Sequence, residues 1–338
     1  VVAIVLTSLA ALLAMNTLRE RLSTQPADQA DLAVAKYHFV MIAGQLDSSF
    51  WLEAYQGARD AAAEVQAVVE LVGTEQYSAD RSPELVEIAI TARLDGIATF
   101  VADPRTTRTA IDGAVAAGIP VVTLEYDASG SARQCFVGVN SYDLGQSFGK
   151  LLAAQERDGL AVILVGDDPA ASNLPEGQIV AGLRDYLAEN PITNLQTLEI
   201  DRTSAFSAET ALRQLLLDNQ AKISTIISLN VDDTLRLVES LVDYDRSGSI
   251  RVLCYQENPD VLDYVESGLI EAVLASDPYQ IGYDSILALA ELKQYNRTNE
   301  YVPARLVTIN RSNVEDYLAT GLRNSDPVDS LATGEALQ

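Results

Sequence analysis

The sequence predicts an α/β protein of two similar lobes, each built on a parallel sheet. Three observations predict it. The chain has 338 residues, more than one hydrophobic core usually holds. From Tyr37 onward, short apolar runs alternate with amphipathic stretches of about ten to fifteen residues, the signature of β-α-β units. This alternation passes through two consecutive sets of similar length.

The first set has strands over Phe39–Ala43, Val68–Gly73, Gly96–Val101 and Pro120–Leu124. Between the first two, Trp51, Tyr55, Ala58, Ala62 and Val65 fall on one helical face. Ser82-Pro83 pairs an N-cap with proline at the first helical position. A later helix ends at Gly118, just before the fourth strand.

The second set has strands over Phe136–Val139, Ala161–Val165, Leu195–Ile200, Thr225–Leu229, Val252–Tyr255 and Ala272–Ala275. Helices are expected over Leu212–Asn219 and Leu235–Tyr244. Asn258-Pro259 and Asp277-Pro278 repeat the cap-then-proline device. A long helix from Tyr279 to about Tyr295 precedes a last strand near Leu306–Ile309.

The ends read differently. Residues 1–18 open with an apolar run, uncharged until Arg19, which suits a signal-peptide core or part of a membrane anchor. Residues 19–36 read as a polar linker, and 321–338 lack periodicity and read as a disordered tail. Export places the rest outside the cytoplasm, secreted or membrane-anchored.

The formal net charge of −25 repels phosphate backbones, so nucleic acid is not an expected partner. Cys135 and Cys254 sit in apolar strand-like runs without metal-ligand spacing, and free buried thiols are expected. The one histidine, His38, opens a strand and reads as structural.

Catalytic motifs are absent: no nucleophile elbow, zinc-protease pair or dinucleotide glycine fingerprint appears. No cofactor or metal is expected, and the chain reads as a binder instead of an enzyme. Gly145–Lys150 has one residue too few for a phosphate loop, and Leu151 replaces the magnesium-holding hydroxyl. Asp243–Ile250 resembles half a calcium loop, but Cys254 stands where a bidentate glutamate is needed. A helix-to-strand turn with Gly248 left-handed explains the same residues.

Function is sought at the strand carboxyl ends, where open parallel sheets bind ligands. Ser48, Phe50 and Trp51 follow the first strand. One aromatic should pack under the first helix, and the other is free to stack on a sugar's C–H face. Glu125 and Tyr126 follow the fourth strand; a carboxylate there can accept two hydroxyl hydrogen bonds. Asn230 and Gln256 place amides at two further strand ends, suited to vicinal hydroxyls or to capping a helix. Ser276 follows another strand.

With these residues in place the chain resembles the periplasmic sugar-binding proteins of ABC transporters, in the ribose- and galactose-binding group. The segments that carry the resemblance are Tyr37–Ala43 with Ser49-Phe50-Trp51, Leu94–Ala98, Ala117–Leu124, Val137–Ser141 and Asp277–Gly282. The resemblance implies two Rossmann-like lobes with parallel sheets joined by a three-segment hinge. One lobe would hold 37–138 plus 277–303, the other 139–276 plus 304–320. It implies ligand contacts at Ser48, Phe50, Trp51, Glu125, Tyr126, Asn230, Gln256 and Ser276, with Asn173 substituting in the loop 167–179. Glu125 and Gln256 replace aspartates of the family, Ser276 a glutamine, and Tyr126 an arginine, so a sugar-like ligand fits better than ribose itself. The partner would be an ABC permease or a sensor kinase. The effector-binding core of LacI-type transcription regulators shares this fold and is the alternative. It would need a helix-turn-helix before residue 37, and no such pattern is present there.

Overall fold

The structure is a computed structural model that describes residues 35–74, 81–154, 159–166, 174–190, 194–201, 205–217 and 222–320. The expected export segment (1–18), almost all of the linker, the tail (321–338) and Asn173 lie outside the described residues.

Two six-stranded sheets form two lobes. The first contains β1 (Tyr37–Ala43), β2 (Ala67–Gly73), β3 (Gly96–Phe100), β4 (Val121–Glu125), β5 (Cys135–Gly138) and β11 (Tyr301–Pro303), in the order β11-β5-β4-β3-β1-β2. The second contains β6 (Leu160–Val165), β7 (Asn194–Glu199), β8 (Ile223–Ser228), β9 (Arg251–Tyr255), β10 (Ala272–Ser276) and β12 (Leu306–Asn310), in the order β12-β10-β9-β8-β6-β7. Each β1–β5 strand therefore has a counterpart in β6–β10. Pairing is parallel throughout except that β12 runs antiparallel to β10, because it enters directly from the neighbouring lobe instead of after a helical crossover.

The central strands are buried on both faces, as parallel strands require, while the edge strands β7 and β11 have no buried residue. Phe39, Met41 and Ala43 of β1 face a core formed with α1 (Ser49–Glu64) and the long helix α9 (Pro278–Tyr295). Val40 and Ile42 face the opposite core, with α2 (Ser82–Ala92) and α3 (Pro104–Ala116). The second lobe repeats the scheme. Ala161, Ile163 and Val165 pack with α4 (Ser141–Ala154) and α5 (Pro175–Glu189). Val162 and Leu164 pack with α6 (Ala205–Leu217), α7 (Val231–Asp243) and α8 (Pro259–Ser267). The short α10 (Val314–Thr320) follows β12.

Glycine permits the closest helix crossings. A Cβ at Gly282 of α9 would sit 1.7 Å from the Ala54 carbonyl oxygen of α1. A Cβ at Gly145 of α4 would sit 2.1 Å from the Ile179 carbonyl oxygen of α5. This explains the glycines of the segment that superficially resembles a phosphate loop: they lie inside a helix and serve packing. Gly248 adopts φ 73° in the turn after α7, as the turn reading expects. Cys135 and Cys254 are free and buried. His38 pairs through Nε2 with Glu70 Oε1 at 2.9 Å, a structural role.

The chain passes between the lobes at three places. They follow β5, precede α9 and join β11 to β12 through Ala304 and Arg305. The sequence reading missed β11, which has only three residues and ends in proline. Val302 joins the first-lobe core, and β11 pairs with β5 in parallel.

Candidate functional site

The carboxyl ends of both sheets face one cleft of about 880 Å3. From the first lobe, the loop after β1 contributes Ser48, Phe50 and Trp51, β3 contributes Phe100, and the end of β4 contributes Glu125 and Tyr126. From the second, the start of α5 contributes Glu176, the α7 start contributes Asn230 and Asp233, and the segment after β9 contributes Gln256 and Glu257.

The aromatic residues form a row. Phe50 and Trp51 meet edge-on at 5.1 Å between ring centroids, Trp51 and Phe100 at 5.4 Å, and Phe100 and Tyr126 at 6.1 Å. Trp51 is 4% exposed and belongs to the core under α1, while Phe50 is half-buried at the cleft. The structure thus divides the two aromatics into one that packs and one with a face toward the cleft. Ser48 is the N-cap of α1, yet its side chain makes no capping hydrogen bond and its residue lines the cleft.

Glu125 ends β4 and is buried, with only 2% exposure. Its backbone is left-handed, φ 63°, in a three-residue turn closed by the Tyr126 N–H donating to the Leu124 carbonyl at 2.7 Å. The loop beyond is pinned by a forked pair, in which Arg133 donates through Nε and Nη2 to the two Asp127 oxygens, each at 2.7 Å. Across the cleft, the Gln256 amide nitrogen donates to Glu125 Oε1, so one hydrogen bond closes the two lobes on each other. Burial pushes the Glu125 carboxyl up to about 8; the Gln256 bond opposes this shift and the neighbouring Glu257 adds to it.

Glu257 is a site residue that the sequence reading missed. It lines the cleft and accepts a hydrogen bond from the Tyr317 hydroxyl at 2.9 Å. Burial pushes it up to about 7. Its position directly after Gln256 was the available signal. Phe100 was missed because it reads as the interior of an apolar strand.

Asn230 lines the cleft and also caps α7. Its Oδ1 accepts from the Asp233 N–H at 2.9 Å, and its Nδ2 donates to Asp233 Oδ2 at 2.8 Å. Both ends of the amide are thereby engaged in the cap. Ser276 ends β10 with 2% exposure and is not among the residues lining the cleft. Among the described residues no His, Cys, Asp and Glu cluster is arranged to hold a metal ion, and no helix is long and apolar enough to cross a membrane.

Over 239 residues the chain is 23% identical to the ribose import binding protein RbsB of Bacillus subtilis (strain 168), covering 70% of this chain and 75% of that protein. The structure of GanP, a glucose-galactose binding protein from Geobacillus stearothermophilus, superposes with a TM-score of 0.75 at 22% identity, over 82% of this chain and 98% of that one. A XylFII–LytSN complex structure matches with a TM-score of 0.70 at 25% identity, over 82% of this chain and 98% of that one. Residues 39–297 match the family described as periplasmic binding protein domain, and the chain belongs to that family.

Proposed function

We propose that this chain captures a sugar or sugar-like polyhydroxylated solute between its two lobes outside the cytoplasm and presents the closed form to a membrane partner. The carrying observation is the Glu125–Gln256 hydrogen bond beside the aromatic row. A buried carboxyl and an amide from opposite lobes supply the paired acceptors and donors that vicinal hydroxyls need. The aromatic faces cover apolar C–H surface. Ligand binding then shifts an open–closed equilibrium, because only the closed form brings both sets of groups together.

On this reading the lobes 37–138 plus 277–303 and 139–276 plus 304–320 move as bodies about the three crossings. Ser48, Phe50, Glu125, Tyr126 and Gln256 contact the solute, Trp51 backs the aromatic row from the core, and Asn230 acts through its cap. Residues 1–18 direct export. The chain binds its solute without transforming it. The partner is an ABC permease or a sensor protein; the named relatives include an import binding protein and a chain in a two-protein complex.

The test is a thermal-shift screen across pentoses, hexoses, polyols, amino acids and peptides. A bound sugar at about 100-fold above its Kd stabilises by about 2.7 kcal/mol. A hit among amino acids or peptides with none among carbohydrates overturns the reading. Location is tested separately, with a reporter fused after Lys36 behind the complete native N-terminus. Cytoplasmic retention would favour the regulator-core alternative.

A further inference from the structure

Three consecutive residues on the second-lobe wall of the cleft are each tied to a different element. Gln256 reaches the first lobe, where its amide donates to Glu125. Asn258 caps α8 and accepts from the Val261 N–H at 2.8 Å. Glu257 between them lines the cleft, and its Oε1 accepts from the Tyr317 hydroxyl of α10 at 2.9 Å, from 60 positions further along the chain. Tyr317 itself is not among the residues lining the cleft, so its route to a bound solute runs through Glu257.

The helix that carries Tyr317 is firmly seated. Val314 is buried in the second-lobe core, and the Tyr317 ring packs against the same core. Asn313 accepts from the Asn310 N–H at 2.8 Å and donates to the Thr308 carbonyl at 2.9 Å, which ties the start of α10 to β12. Two other tyrosines donate to carboxylates, Tyr142 to Asp185 and Tyr279 to Asp60, each at 2.8 Å. Those pairs join helix to helix at the surface, and none of their four residues lines the cleft. Helix packing accounts for them. The Tyr317 pair differs, because its carboxyl belongs to the cleft lining.

We propose that Tyr317 is a positioning residue for solute capture: its hydroxyl fixes the Glu257 carboxyl at the cleft wall, where Glu257 meets a hydroxyl of the solute. This rests on the sugar-type reading above and deepens it. An untethered glutamate samples several rotamers and must give them up on binding. A carboxyl already held by a donor loses less, which is the advantage of preorganisation. Tyrosine suits the task. Burial and the neighbouring Glu257 hold its hydroxyl well above the usual phenol range, so it stays a donor. Burial pushes Glu257 up and the Tyr317 bond opposes this, favouring the ionised carboxyl that accepts hydroxyl hydrogen bonds best. The C-terminal helix α10 is thereby part of the binding machinery.

Calorimetric titration of the full chain with D-ribose, D-xylose, D-glucose and D-galactose selects the sugar that wild type binds most tightly. That sugar is then titrated into Tyr317→Phe, Glu257→Ala and the double variant, with thermal melts confirming that each folds. Tyr317→Phe keeps the ring and removes only the hydroxyl. It should weaken binding about three- to tenfold, the worth of one hydrogen bond. Glu257→Ala should weaken it at least as much, and the double variant should bind no more weakly than Glu257→Ala, because Tyr317 then has nothing to position. Tyr317→Phe binding within about twofold of wild type, or losses that multiply in the double variant, overturns the inference and leaves the sugar reading standing. A second measurement reads the bond without any sugar. Carbon-13 NMR titration of the Glu257 carboxyl, identified by its loss in Glu257→Ala, should show a midpoint moved upward in Tyr317→Phe, since a donor to the charged form is gone. Glu53 and Asp277, which add negative charge around Glu257, are untouched by that substitution. An unmoved midpoint also overturns the inference. Failure of all the sugars to bind wild type removes the sugar reading and this inference together.

Discussion

Glu125 and Gln256 are counterparts: each stands at the carboxyl end of the fourth strand of its lobe, each has a left-handed backbone, and they bond to each other across the cleft. Their φ angles are 63° and 69°. Non-glycine residues held there cost on the order of 1–3 kcal/mol each, and such strain collects at ligand clamps. The turn aims each side chain into the space between the sheets, which an extended residue at a strand end would not do.

Glu125→Gln should weaken ligand binding by about 1–3 kcal/mol, since it changes the donor and acceptor pattern of a buried group and leaves a partner unsatisfied. Calorimetry on wild type and variant with one ligand measures this. A change within about 0.5 kcal/mol would be that of a surface residue and would take Glu125 out of the site.

Phe50 and Trp51 should separate cleanly. Trp51→Ala empties a packed core position and should cost about 3–5 kcal/mol in a urea melt. Phe50→Ala should cost less stability and more affinity, because the half-buried ring faces the cleft. Equal loss of stability in both variants would contradict this division.

Stability of the closed form should fall as pH rises through neutrality. Burial raises the Glu125 carboxyl from 4.5 to about 8, so between those values the folded, closed protein holds more protons than the open or unfolded chain. The contribution is fully present below about pH 4.5 and is lost on the way to about pH 8. Glu257, raised to about 7, acts in the same direction. Glu53 and Asp277 add negative charge around Glu257, and Tyr317 donates to it. Melting temperature against pH should slope less steeply in Glu125→Gln than in wild type; parallel curves would show that Glu125 is not the titrating group.

Gly282→Ala should destabilise the first lobe by at least the roughly 1–3 kcal/mol of an overpacked core, since the added methyl lies 1.7 Å from the Ala54 carbonyl oxygen. The obstacle is backbone, so no side-chain rotation relieves it. Chemical denaturation reads the loss, and a variant as stable as wild type would show that α1 and α9 can slide apart.

The sequence by itself determined most of the order of elements, β11 excepted, because that order is written in local periodicity. Alternating apolar runs mark the strands, and cap-then-proline pairs mark helix starts at Pro104, Pro259 and Pro278, although the first of these was not read from the sequence. Strand ends could be listed as candidate positions, and Glu125 and Gln256 were named that way. Only the tertiary structure decided which candidates meet. Trp51 and Phe50 are adjacent in the chain with similar chemistry, and burial under α1 separates them. Ser276 ends its strand away from the cleft lining, and the Asn230 amide is engaged in its helix cap. Phe100 and Glu257 join the site because sheets and loops distant in sequence face one another. Periodicity records which face of an element is apolar; it carries no information about which faces of two lobes close together, since that depends on contacts between residues more than a hundred positions apart.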